Sequence, residues 1–118
     1  MNVVTSHKLN DLNKGLEIVG HFEGAVGGEC TQYKIGPKDK TLCVLQFQNG
    51  PIPEVGINGL SNEALIAIVI DRLQGFNKGA YSCRENSLAI TKLEEAMHWL
   101  HHRTLDRMGR GVEGSYQK

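Results

Sequence analysis

The feature that most constrains the fold is a run of about 25 residues, from about Arg84 to about Met108, without proline or glycine. Alanine, leucine, glutamate, lysine and methionine are frequent in it, and these residues favour the α-helix. A straight helix of this length extends roughly 37 Å at 1.5 Å per residue. The chain is therefore predicted to contain one long helix near its C-terminus.

The chain changes character near residue 60. Before that point it has glycine, turn residues and short runs of strand-forming residues, which predict a small antiparallel sheet. The predicted strands are Leu16–Glu23, Cys30–Ile35 and Thr41–Phe47. Residues 49–59 carry three glycines and two prolines, so a loop without a regular element is predicted there.

A first helix is predicted to begin at a cap on Ser61 or Asn62 and to end near Phe76. The expected fold class is therefore α+β, with a β-rich half over residues 1–60 followed by a helical hairpin and C-terminal tail over residues 61–118. A length of 118 residues suits a single domain over 1–118.

Apolar residues occupy more than one side of the first helix. Leu65, Ile68, Val69, Leu73 and Phe76 form one stripe, and Ile66 and Ile70 add apolar surface on another side. One sheet cannot cover both sides. We therefore expect another chain to cover part of this helix.

The long helix carries a seam of residues separated by steps of four and three, the spacing of a helix-packing face. The seam is Asn86, Ile90, Leu93, Met97, Leu100, Thr104 and Arg107. If two copies pack these helices antiparallel about Met97, Asn86 of one chain lies beside Arg103 and Arg107 of the other. Two such sites would form in each dimer.

Arg103 and Arg107 lie four residues apart, so both guanidinium groups can converge on one phosphate or pyrophosphate. The alternative is a solvated basic helix end that interacts with the helix dipole. Phe76 is expected near the tip of the hairpin, beside Asn86, where an aromatic face can stack on a purine for about 1–3 kcal/mol. The alternative for Phe76 is core packing.

Other classes of protein fit the sequence less well. Lysine plus arginine number 13 and aspartate plus glutamate 13, and this zero net charge argues against a nucleic-acid polymer as the partner. The longest apolar run, Ala64–Ile70, is far shorter than the roughly 20 residues that span a bilayer, so no membrane association is predicted. Three cysteines without a C-x-x-C spacing indicate a reducing compartment.

No catalytic or metal-binding motif is apparent. His98 and His102 are four residues apart, but the glutamate of H-E-x-x-H is missing, so no metal is predicted. No serine or cysteine lies in a nucleophile-elbow pattern. The sequence therefore predicts binding without turnover, with no cofactor and no enzymatic activity.

Two segments of the C-terminal half, residues 58–76 and 83–114, closely resemble the helical-hairpin domain shared by two phage immune-evasion families. These are the first-described type of Thoeris anti-defence protein and its relative among anti-CBASS proteins. Arg103-Thr-Leu-Asp-Arg107 and Arg110-Gly-Val-Glu-Gly114 carry the most specific part of the resemblance. The N-terminal sheet segment is similar to the Thoeris member rather than to the shorter, all-helical anti-CBASS member.

This resemblance implies a sponge that sequesters glycocyclic ADP-ribose, the Thoeris signal, without cleaving it, in the cytoplasm of the infected bacterial host. In the family, an aromatic residue, an asparagine and two arginines hold the ligand between protomers. The matching positions here are Phe76, Asn86, Arg103 and Arg107. The resemblance also implies a homodimer that assembles further into a hexamer, and, in some members, a second class of site for cyclic trinucleotides or dinucleotides.

The sequence leaves three alternative functions open. One is an anti-CBASS sponge mainly for cyclic dinucleotides or trinucleotides. Another is a cyclic-nucleotide hydrolase, against which the missing metal and nucleophile motifs count. The third is a hairpin that binds nucleic acid through Arg103, Arg107 and Arg110, which would require a steep salt dependence.

Overall fold

The computed structural model of the chain describes residues 1–22, 24–25 and 27–116. It forms two compact units, residues 1–60 and residues 61–118, and their boundary lies where the sequence changes character. The prediction of a β-rich half followed by a helical half is confirmed. That these halves form one domain stays a prediction.

The first unit contains a four-stranded antiparallel sheet with strand order β1-β2-β3-β4. Its strands are Asn2–Val4, Glu17–His21, Gln32–Gly36 and Cys43–Gln46. The last three correspond to the predicted strands: the second and fourth have narrower bounds, and the third begins two residues later and ends one residue later than predicted. Glu23, at the end of the first prediction, lies outside the described residues. Sequence analysis missed β1, because three residues are too few for an alternating pattern to be recognised.

The core of this unit lies where Cys30 meets the sheet. Cys30 is the one buried hydrophobic residue in the described part of the chain, and a Cβ added at Gly20 would lie 2.6 Å from its sulfur. The rings of Tyr33 and Phe47 meet edge to face, with centroids 5.6 Å apart. Burial, and then the neighbouring Cys30 thiol, raise the pKa of the Tyr33 phenol above its usual value.

The segment 49–59 is more regular than predicted. Ile52–Val55 form one helical turn, α1, so the prediction of no regular element is wrong for these residues. The turn tolerates Pro53 because proline in the first turn of a helix sacrifices no intrahelical hydrogen bond. The side chain of Asn58 closes the loop, since its Oδ1 accepts from Asn49 N at 2.8 Å and its Nδ2 donates to Asn49 O at 2.7 Å.

The second unit is a helical hairpin of α2, Asn62–Asn77, and α3, Arg84–Gly109, joined by residues 78–83. Ser61 caps α2, because its Oγ accepts a hydrogen bond from Ala64 N at 3.1 Å. Both predicted helices are confirmed. Because α2 has 16 residues and α3 has 26, about ten residues of α3, roughly 15 Å, extend beyond the end of α2.

The predicted seam of α3 is the inner face of this hairpin. Its seven residues are half-buried or buried, whereas every other residue of α3 is exposed, and α2 is the element that packs against α3. Within the chain, α2 therefore covers the part of this seam that lies beside it. That the seam joins two copies about Met97 stays a prediction.

The faces of α2 also differ from the predicted stripe. Ile66, Ile70 and Leu73 are half-buried, whereas Ile68 and Val69 are 61% and 40% exposed. The hairpin thus buries one apolar side of α2 and leaves the other uncovered. None of the helices that the structure describes is both long enough and apolar enough to traverse a membrane.

Candidate functional site

Phe76 and Asn86 lie together at the tip of the hairpin, which comprises residues 76–86. The ring of Phe76 meets the ring of Tyr81 edge to face, with centroids 6.1 Å apart, and is 37% exposed. Asn86 Nδ2 donates to Tyr81 O at 3.0 Å. Tyr81 therefore connects both predicted site residues at this end.

Two further residues shape the tip. The guanidinium carbon of Arg72 lies 5.1 Å from the centroid of the Phe76 ring, a cation–π contact. Asn77 orders the connection, because its Oδ1 accepts from Cys83 N at 3.3 Å and its Nδ2 donates to Ser87 Oγ at 3.1 Å. The tip thus presents an oriented aromatic ring and an oriented amide.

Sequence reasoning missed Arg72 and Tyr81 as parts of this tip. Arg72 could have been found, since it precedes Phe76 by four residues and so lies on the same helical face. Tyr81 could not, because it lies in the connection, where no periodicity indicates which way a side chain points.

Arg103 and Arg107, at the other end of α3, have different environments. Arg103 is exposed and has no hydrogen-bond or ion-pair partner within the described residues. Arg107 is only 6% exposed. Its Nε donates to Glu113 Oε2 at 2.9 Å, and its Nη2 donates to the carbonyl oxygens of Val112 and Ser115 at 3.0 and 3.1 Å.

The C-terminal tail, defined here as residues 110–116, folds back over this end of the helix. Gly111 and Gly114 have φ values of 73° and 78°, in the left-handed region that glycine adopts without strain. Val112 N donates to Arg107 O at 3.0 Å, which fastens the tail to the last helical turn. Sequence analysis recognised the motif at residues 110–114 but assigned no role to Glu113.

The two ends of α3 are too far apart to share a small ligand within one hairpin. Arg103 follows Asn86 by 17 residues along one uninterrupted helix, which corresponds to about 26 Å. A dinucleotide-sized ligand spans only on the order of 10 Å, the reach of about seven helical residues. The structure therefore brings Phe76 and Asn86 together, and Arg103 and Arg107 together, but keeps the two pairs apart.

The histidines of α3 flank an exposed tryptophan. The rings of His98 and His102 meet the ring of Trp99 edge to face, with centroids 5.6 and 5.7 Å away. Trp99 is 65% exposed. Within the described ranges, no three histidine, cysteine, aspartate or glutamate side chains come together as a group that could hold a metal ion.

Comparison with known proteins gives two matches. Residues 41–105, more than half of the chain, match the family described as "Acb2/Tad1, hairpin domain". The chain is 49% identical over 92 residues to a protein of Bacillus phage SBSphiJ7 called Thoeris anti-defense 1. The match covers 78% of this chain and 65% of that relative, so the chain spans slightly less than two thirds of the relative's length.

Proposed function

The chain belongs to the Acb2/Tad1 hairpin-domain family, and from this premise we propose that it is a phage immune-evasion sponge. It binds and sequesters glycocyclic ADP-ribose, the signal of bacterial Thoeris defence, in the cytoplasm of the infected host, and it does not cleave the signal. The name of the Bacillus phage relative, Thoeris anti-defense 1, supports this choice of defence system.

The observation that carries the proposal is the separation of two complementary half-sites on one rigid helix. The tip offers the Phe76 ring and the Asn86 amide, which suit a purine base through stacking and hydrogen bonding. The other end offers the guanidinium groups of Arg103 and Arg107, which suit a pyrophosphate. An ADP-ribose ring carries both chemistries in one small molecule.

Because one chain cannot close both half-sites on the same ligand, a second copy completes each site. The tip of one copy lies beside Arg103 and Arg107 of the other, and the two-fold symmetry of a homodimer then gives two equivalent sites. The contact surface includes the uncovered side of α2, where Ile68 and Val69 are exposed.

The thin core of the hairpin supports this oligomer. No hydrophobic side chain among its described residues is fully buried, so apolar surface stays available for contact with a second copy. We propose a homodimer as the unit that completes the sites and, as the family resemblance implies, further assembly into a hexamer.

The second candidate is a sponge mainly for cyclic dinucleotides or trinucleotides, the signals of CBASS defence. The family match itself favours keeping it, because the hairpin domain is described jointly for Acb2 and Tad1. The four-stranded sheet before the hairpin favours the Thoeris assignment, since the resemblance describes the anti-CBASS member as shorter and all-helical.

Retention and release of intact ligand test the proposal. Purified protein is incubated with glycocyclic ADP-ribose or, separately, with a cyclic trinucleotide, then filtered, heated and analysed by chromatography. The sponge withholds glycocyclic ADP-ribose from the filtrate and returns it intact after heating. Fragments in place of the intact ligand would establish a hydrolase, and retention of the trinucleotide alone would establish the second candidate.

Two variants make the test specific. Arg103→Ala removes an exposed guanidinium that the proposal places on the pyrophosphate, and it should lose retention. His101→Ala changes another exposed side chain two positions away and should retain the ligand as the natural protein does. Equal retention by both variants would remove Arg103 from the site.

A further inference from the structure

The C-terminal tail places a carboxylate on the arginine that the proposed function assigns to the ligand. We propose that Glu113 is an internal competitor of the ligand: its carboxylate occupies the edge of Arg107 that a phosphate must reach, and binding displaces it. This inference rests on the proposed function, because it concerns how the same site is regulated.

The contact geometry supports substitution of one anion for another. Glu113 Oε2 accepts from Arg107 Nε at 2.9 Å, a distance typical of a charge-assisted hydrogen bond. Carboxylate and phosphate oxygens accept from guanidinium in the same fork geometry. A phosphate oxygen can therefore replace Oε2 without a change in the position of the arginine.

Exposure shows from which direction a ligand must arrive. The Arg107 side chain is 8% exposed and the Glu113 side chain is 41% exposed, so the carboxylate lies on the solvent side of the guanidinium. The carbonyl oxygens of Val112 and Ser115 hold Nη2 from the tail itself. A phosphate that approaches from solvent meets the Glu113 carboxylate first.

The charges at Arg107 also indicate that the Glu113 carboxylate competes with a phosphate. The Arg107–Glu113 pair is neutral as a unit, and a pyrophosphate brought to within about 4 Å of an unmoved carboxylate would be repelled. Phosphate binding at Arg107 therefore requires the carboxylate to leave. Arg103 has no such carboxylate, so the competition is confined to one of the two arginines.

The tail is built so that Glu113 can move. Glu113 lies between Gly111 and Gly114, whose backbones adopt positive φ. Its carboxylate has no partner other than Arg107 within the described residues, so displacement breaks one ion pair and exposes a group that is already partly hydrated.

The test compares Glu113→Gln with a matched variant, Asp106→Asn. Glutamine keeps the size and an acceptor oxygen but removes the charge. Asp106→Asn also removes one negative charge, from the residue that precedes Arg107 in the sequence. The Asp106 carboxylate pairs with Arg110 at 3.0 Å and not with Arg107, so this variant controls for the change in charge alone. Calorimetry with glycocyclic ADP-ribose should show about tenfold tighter binding for Glu113→Gln, within the usual range of coupling between competing contacts, and no comparable gain for Asp106→Asn.

Fluorine NMR on protein labelled with 3-fluorotyrosine follows the displacement itself. The chain has three tyrosines: Tyr33 in the sheet, Tyr81 at the tip and Tyr116 in the tail. Ligand should shift the Tyr116 resonance, assigned by its loss in Tyr116→Phe, while Tyr33 reports on the sheet. A Tyr116 signal that stays still while Tyr81 responds would mean that Glu113 is not displaced.

Other outcomes also decide the question. Weaker binding by Glu113→Gln, with an unchanged melting temperature, would overturn the proposal and make Glu113 a positioning residue for Arg107. If Glu113→Gln does not fold, Glu113→Asp replaces it: the shorter side chain keeps the charge but reaches Arg107 less well, and tighter binding than the natural protein is again expected.

A titration with inorganic pyrophosphate separates this inference from the proposed function. If the natural protein retains no glycocyclic ADP-ribose, the sponge proposal fails for that ligand. The competition is then judged by the Tyr116 resonance alone. Glu113→Gln should respond to pyrophosphate at roughly tenfold lower concentration than the natural protein, and an equal or higher concentration would overturn the competition whatever the biological ligand is.

Discussion

Arg103→Ala and Arg107→Ala should weaken ligand binding alike but should differ sharply in stability. Arg107→Ala removes a buried guanidinium that donates to Glu113, Val112 and Ser115. Arg103→Ala removes an exposed side chain without a partner in the described part of the chain. The pair thus separates a residue that we propose contacts only ligand from one that also holds the tail.

The expected loss of stability follows from the hydrogen bonds that each substitution removes. In Arg107→Ala the carbonyl oxygens of Val112 and Ser115 both lose the Nη2 donor. Glu113, with its side chain 41% exposed, is rehydrated and adds little. Loss of the charged guanidinium and of its hydrogen bonds to the two carbonyl oxygens costs about 2–3 kcal/mol. Arg103→Ala should change the free energy of unfolding by no more than about 0.5 kcal/mol.

Thermal unfolding, followed by the helical circular dichroism signal, measures the difference in stability between the two variants, because the second unit contributes most of the helix. For a unit of this size, 1 kcal/mol corresponds to about 4–8 °C, so the melting temperature of Arg107→Ala should fall by about 10–15 °C. Protein concentration must be equal in all samples, since an oligomer melts at a concentration-dependent temperature.

Equal melting temperatures for the two variants would refute the reasoning, because they would mean that the contacts of Arg107 with the tail contribute nothing to folding. A second check is Glu113→Gln, which keeps the guanidinium and both carbonyl contacts. It should lose clearly less stability than Arg107→Ala. A larger loss would place the stabilisation in the ion pair instead of in the guanidinium as a whole.

Three further predictions concern assembly and folding. Mixing Asn86→Ala chains with Arg103→Ala chains should restore about one intact site in each mixed dimer, detected as recovered ligand retention; absence of recovery would exclude a site shared between chains. Ser61→Ala should lower the stability of the hairpin by about 1 kcal/mol in urea unfolding, because the N-cap bond is lost. Gly36→Ala should destabilise the sheet unit, since the added Cβ would overlap backbone atoms of the next turn, whereas Gly15→Ala, with open space around it, should not.

Much of the fold could be predicted because periodicity and capping are local. The cap at Ser61 and the proline-free, glycine-free run after residue 83 located both helices within a residue or two of α2 and α3. The helical turn at Ile52–Val55 was missed because proline was treated as a breaker without regard to its position in the turn. β1 was missed because three residues carry too little pattern.

The face of each helix was harder to predict than the helix itself. The seam of α3 was recognised, but its contact with α2 was not predicted, since spacing shows that a face is covered and not by what. Arg103 and Arg107 were predicted to be equivalent for the same reason: their spacing does not show what covers each side chain. Four-residue spacing put both on one face, yet only the tail, whose glycines turn the chain back, determines which of them is buried.

The unequal lengths of the two helices should divide α3 into parts that open on different timescales. The part beside α2 unfolds only when the hairpin separates, whereas the last roughly 15 Å extends beyond α2, is fastened to the tail at its final turn, and can fray when the tail lifts. Backbone amides of its final turns should therefore exchange with solvent by local opening, far faster than those near Leu93. The end of α3 that holds the arginines can thus change its partners many times within the lifetime of the folded hairpin.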